Sequence, residues 1–159
     1  ELQRKFKQAK MMSMKWIDAM QYIHFVQLVS FIMLLTYAAM IDLRTRTIPD
    51  HIPMIIILIG LIDMEPVSAV LGLILVPLPY FIMALLKENS IGGGDIKLMG
   101  ACGFYLGLQV GYVASILGLL FAIIIYLAYS VIGSKKMTKS IPLAPYLGAG
   151  CLIAPFIVS

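Results

Sequence analysis

Charge is what this sequence has least of. Of its 159 residues 13% are Asp, Glu, Lys or Arg, against 61% that are hydrophobic, whereas a soluble domain carries about 25% charged residues. That balance excludes a water-soluble globular domain and points to lipid as the solvent. Cysteine is scarce as well. Cys102 and Cys151 are the two present, both in apolar runs, so a Cys-x-x-Cys zinc pattern and a disulfide framework are excluded, and small apolar packing is their reading. His24 and His51 are far apart and lack evident ligand companions; no metal site and no cofactor are expected. The formal net charge of +4 does not ask for nucleic acid, because the cations precede or separate apolar runs, where the positive-inside rule accounts for them.

What is present is about six apolar segments, so the expected fold is an all-α polytopic membrane protein, a bundle of about six transmembrane helices, some short or kinked. Ile23 to Ile41 is long enough to cross and uninterrupted. Pro49 to Asp63 is short, about 22 Å as a helix, and spans only if its ends snorkel or the bilayer thins. Val67 to Leu86 is expected to kink at Pro77 and Pro79. Ile96 to about Leu106 is short and punctuated by glycine, and Leu108 to Ile132 is a full span. Ile141 to Val158 closes the chain, with Pro142 near its first turn, where a missing N–H costs little.

Loop charges orient these segments. Arg44 and Arg46 follow the first span, Lys87 and Lys97 the third, and Lys135, Lys136 and Lys139 precede the last, while the loop holding Asp63 and Glu65 has no cation. The basic loops alternate with the others, so they share the cytoplasmic side. Arg4, Lys5, Lys7, Lys10 and Lys15 disagree, since a single crossing by Ile23 to Ile41 would leave them outside. Residues 1–22 also read as a basic amphipathic interfacial segment, with Met12, Trp16, Met20 and Ile23 at helical spacing. Their side stays open, as does sequence upstream of Glu1.

Within this oil, "SIGGGDIKLMG" (90–100) keeps three glycines and a carboxylate. Under the orientation above, Asp42 lies at the cytoplasmic end of the first span and Asp95 at the cytoplasmic start of the fourth. An ionisable group near hydrocarbon is expensive, and each is a functional candidate, although water at the interface can also satisfy it. Two carboxylates close enough to interact share a proton, so one can take a proton from water while the other gives one to a carbonyl oxygen. Gly92, Gly93 and Gly94 let the backbone turn sharply and approach an extended peptide. Asp95 also suits a helix N-terminus as a plain cap. Lys97 either tunes the pair or snorkels to lipid phosphate.

Three stretches carry a resemblance. "IGGGDIKLMGACGFYLG" (91–107) resembles the Gly-x-Gly-Asp motif of type IV prepilin peptidases, "DLRTRTIPDHI" (42–52) their other aspartate signature, and "IPLAPYLGAG" (141–150) their closing segment. The resemblance covers roughly residues 23 to 158. It implies a membrane aspartic endopeptidase domain over 23–159 that cuts the short basic leader from prepilins and pseudopilins at the cytoplasmic face of the cell's inner membrane. Asp42 and Asp95 would be the catalytic pair, with Gly92, Gly93, Gly94 and Lys97 on the substrate side. Asp50 stands where the family usually has Asn, and Ala144 where it usually has Gly. No paired Cys-x-x-Cys set is present, so the chain resembles the peptidase core without the zinc and methyltransferase domain. Two rivals are a presenilin-like protease, which shares Gly-x-Gly-Asp but not the other two motifs, and a small proton- or cation-coupled transporter subunit, for which no inverted symmetry between halves is found.

Overall fold

The computed structural model describes residues 2–86, 91–132 and 142–158. Ser90, Lys87, Lys135, Lys136, Lys139 and Ile141, to which the sequence assigns loop, motif or helix-start roles, lie outside the described residues. Six helices follow in order: α1 (Leu2–Thr45), α2 (His51–Gly60), α3 (Pro66–Leu75), α4 (Leu78–Leu86), α5 (Gly93–Ile132) and α6 (Ala144–Val158), with a short 3-10 turn at Leu61–Asp63. No strand occurs among the described residues. By length and composition three stretches suffice to cross a bilayer, Gln3–Thr45, Pro66–Leu86 and Gly93–Ala128, the second broken between α3 and α4 and the third at Gly107, while α2 and α6 are shorter apolar helices. The chain is an all-α membrane protein.

No glycine or proline interrupts residues 2 to 45, so α1 runs through the compositional change at residues 22 and 23 without a break. Its described side chains from Gln3 to Val26 are exposed, and burial begins at Gln27 and continues through Phe31, Leu35, Ala38 and Asp42. Those spacings of three and four make one stripe facing the bundle. Gln27 is a polar group in that stripe, and its Nε2 donates to the Ile59 carbonyl at 3.0 Å. The expected kink near Pro77 and Pro79 is a true interruption between α3 and α4. The final helix starts at Ala144, so Pro142 precedes it and Pro145 stands in its first turn.

The largest rearrangement sits at Gly107. Its φ of 77° and ψ of 175° belong to a region open essentially to glycine alone. Beyond it the chain turns back: a Cβ on Gly111 would lie 3.1 Å from the Gly103 Cα. Contacts along α3 give the same picture. Ser68, Gly72 and Val76 meet Gly107, then Gly103, on one arm, while Ser68, Val76 and Tyr80 meet Leu108, Gly111 and Ser115 on the other. The first arm therefore runs against α3 and the second along it. Ser68 Oγ accepts the Leu108 N–H at 3.1 Å, satisfying one of the donors left free where the second arm restarts. Close helix approach, which substitutes in lipid for hydrophobic driving force, rests on small residues: a Cβ on Gly103 would strike the Gly72 carbonyl, and one on Gly150 the Ala114 carbonyl.

Candidate active site

This folding brings the start of α5, the end of α1 and the start of α6 to one end of the bundle, with residues from all three motif-bearing stretches. Asp42, in the last turns of α1, is only 4% exposed. Its Oδ2 accepts the Ala144 backbone N–H at 3.0 Å, one of the donors that the first turn of α6 leaves without a helical partner. The Asp42 carbonyl accepts the Arg46 N–H at 2.9 Å. Arg46 itself has φ 55°, a left-handed residue that ends α1 one turn after the aspartate.

Asp95 is in the first turn of α5. Its carboxylate folds back on the N–H of Gly92, and the charge of Asp42 reaches it. Asp95 Oδ1 is buried and makes no hydrogen bond to the described residues. The helix-cap reading thus accounts for one oxygen and leaves the other open. The three glycines separate in role. A Cβ on Gly92 would lie 3.1 Å from Asp95 Oδ2, one on Gly94 would lie 2.9 Å from Ile48 Cβ, and one on Gly93 would meet nothing within 4 Å. Lys97 Nζ pairs with Asp50 Oδ1 at 2.7 Å, both side chains being more than half exposed. Asp42 with Ala144, Ile48 with Gly94, and Asp50 with Lys97 are each a junction between two of the three stretches.

The sequence pointed to Asp42 and Asp95 but not to what holds them. Ala144 and Asp50 entered only as departures from a pattern, yet one supplies a donor to Asp42 and the other is the ion partner of Lys97. A backbone N–H leaves no mark on side-chain identity, and Pro142 and Pro145 on either side of Ala144 were the available hint. Elsewhere, Tyr80 and Ser115 share a buried hydroxyl hydrogen bond of 2.8 Å between α4 and the second arm of α5, a pairing that no motif announces.

The fold and this end of it define a class: an all-α membrane protein that gathers two aspartates from separate helices at one end of its bundle. Residues 29–131 match the type IV leader peptidase family, and the chain belongs to that family. It is similar to the prepilin leader peptidase/N-methyltransferase of Bacillus subtilis (strain 168), 30% identical over 73 residues, a match covering 46% of this chain and 29% of that protein. The chain thus matches less than a third of that relative's length. No solved structure matches the chain.

Proposed function

We propose that the chain is a membrane aspartic endopeptidase that removes the short basic leader of type IV prepilins or pseudopilins at the cytoplasmic face of the inner membrane. The observation that carries this reading is the convergence of Asp42 and Asp95 at one end of the bundle, where Gly94, beside Asp95, packs against Ile48 and the start of α6 donates to Asp42. One carboxylate takes a proton from water as the water oxygen attacks the scissile carbonyl. The other gives a proton to the carbonyl oxygen; the resulting diol then returns a hydroxyl proton to that second carboxylate as its C–N bond breaks, and the first carboxylate passes the proton it took from water to the leaving amine. Ala144 holds Asp42 in one orientation, and the buried Oδ1 of Asp95, which makes no hydrogen bond to the described residues, is the acceptor left for a water or a substrate group that enters the site. Gly93, exposed and uncrowded, lets an extended leader lie against the start of α5. Membership of the leader peptidase family and the name of the Bacillus relative support the choice of substrate.

The test is incubation of the purified protein in detergent with a prepilin, followed by mass spectrometry of the new N-terminus. Cleavage directly after the leader is expected. Asp42→Asn and Asp95→Asn each lower the rate by about 10²-fold or more, since an amide keeps the shape but cannot exchange the proton, while insertion into the membrane is unchanged. Near-normal cleavage by either variant removes that aspartate from the mechanism.

A further inference from the structure

α2 and α3 both pack on α5 and hardly meet each other. Between them lies a slot of about 440 Å³. Pro53 and Ile57 wall it on one side, Leu73 and Pro77 on the other, and Gly100 forms part of its floor. A Cβ on Gly100 would stand 3.4 Å from the Leu73 carbonyl and 3.5 Å from Pro77 Cγ, so the missing side chain leaves room at the floor of the slot. Its mouth is different in kind. Asp50 and Lys97 meet there, 68% and 56% exposed, at the end of the bundle that holds the aspartates. From Asp50 to Ile57 the slot descends about 10 Å along α2, the direction in which an acyl chain runs below its headgroup.

We propose that this slot binds one phospholipid with an ethanolamine headgroup. An acyl chain fills the apolar part, the phosphate meets the Lys97 ammonium, and the lipid ammonium donates to the Asp50 carboxylate. Each protein group uses one bond in its mutual pair and keeps further hydrogen-bonding capacity toward solvent. The charges select the headgroup. Choline carries no N–H for Asp50, and glycerol offers it no cation, so neither adds a charge-assisted hydrogen bond to the one the carboxylate already receives from Lys97. The inference needs only a membrane protein and is independent of the cleavage reaction.

The full chain, purified and incubated with an equimolar mixture of phosphatidylethanolamine, phosphatidylcholine and phosphatidylglycerol in mixed micelles, reports retained lipid by native mass spectrometry. Ethanolamine lipid is expected to be kept about tenfold over choline lipid, the worth of a charge-assisted hydrogen bond. Asp50→Asn erases that preference. Ile57→Phe, which fills the slot with the ion pair intact, lowers retention of all three lipids. Exchanging the pair as Asp50→Lys with Lys97→Asp keeps a zwitterion at the mouth and keeps the preference. Equal retention of ethanolamine and choline lipids by the unaltered chain overturns the proposal, as does an undiminished preference in Asp50→Asn or full retention in Ile57→Phe. None of these readouts involves cleavage, so the proposed reaction stands or falls separately.

Discussion

At the scale of single residues, "GGG" is three different devices. Gly94 has to be small because Ile48 stands where its Cβ would go, whereas Gly93 faces open space. Gly94→Val is therefore expected to part the two motifs, lowering both melting temperature and cleavage. Gly93→Val should leave melting unchanged and raise KM, or abolish cleavage, by blocking the leader. Wild-type kinetics in Gly93→Val would assign that glycine to the turn alone. Ala144 offers a second probe, because the first position of a helix accepts the backbone angles of proline. At this buried position the ring carbon of proline takes the place of the hydrogen that reaches Asp42, so the hydrogen bond is lost and the carboxylate is pushed aside. Ala144→Pro is expected to lower kcat by about 10²-fold through a misplaced carboxylate, and Ala144→Val, of similar bulk but with the N–H kept, to retain most of it. Equal losses in both variants would mean that crowding at this buried position, and not the hydrogen bond, is what matters.

At the scale of elements, Gly107 decides the topology. An alanine there would need a backbone region that L residues avoid and would bring its Cβ to 2.7 Å from Ser68 Oγ. Gly107→Ala should cost about 1–3 kcal/mol and appear as a lowered melting temperature in detergent; an unchanged value would show that the turn relaxes without it. Much of this element pattern was legible. Gly107 and the prolines at 77 and 79 punctuate the hydropathy, and the structure breaks its helices at or next to those points. What the sequence could not show is that the two arms around Gly107 fold back on each other along α3. Periodicity names the face a helix buries, but the partner is chosen by matching small residues such as Gly72 and Gly103, each unremarkable in its own segment. The composition change at residue 22 is the converse case. Lysines give way to aliphatics there, yet nothing in the backbone chemistry stops a helix, and α1 continues. The pair of aspartates was legible for a related reason: a carboxylate in an apolar chain is conspicuous whatever its neighbours.

At the scale of the whole molecule, the continuity of α1 sharpens a conflict over orientation. The stripe from Gln27 to Asp42 packs in the bundle, so the helix from Val26 back to Gln3, about 35 Å, continues beyond it at the end away from the aspartates. Arg4, Lys5, Lys7, Lys10 and Lys15 ride on that extension. Against them stand Arg44, Arg46 and Lys97 at the aspartate end, joined in sequence by Lys87 after α4 and by Lys135, Lys136 and Lys139 before α6. The second set is larger and lies in loops next to spans, the places where cations fix topology, so the aspartate end is expected to face the cytoplasm. Asp42 is too buried to serve as its own reporter. Exposed Thr47, five residues on, and exposed Ile62, in the turn after α2 at the opposite end, can report instead. With Cys102 and Cys151 replaced by alanine, Thr47→Cys should react with a membrane-impermeant maleimide in inverted vesicles and stay silent in right-side-out ones, and Ile62→Cys should do the reverse. The opposite result would make the five N-terminal cations the determinant. It would also put Asp42 and Asp95 on the face that a leader still in the cytoplasm cannot reach, and the prepilin reading would fail on topology before any cleavage was measured.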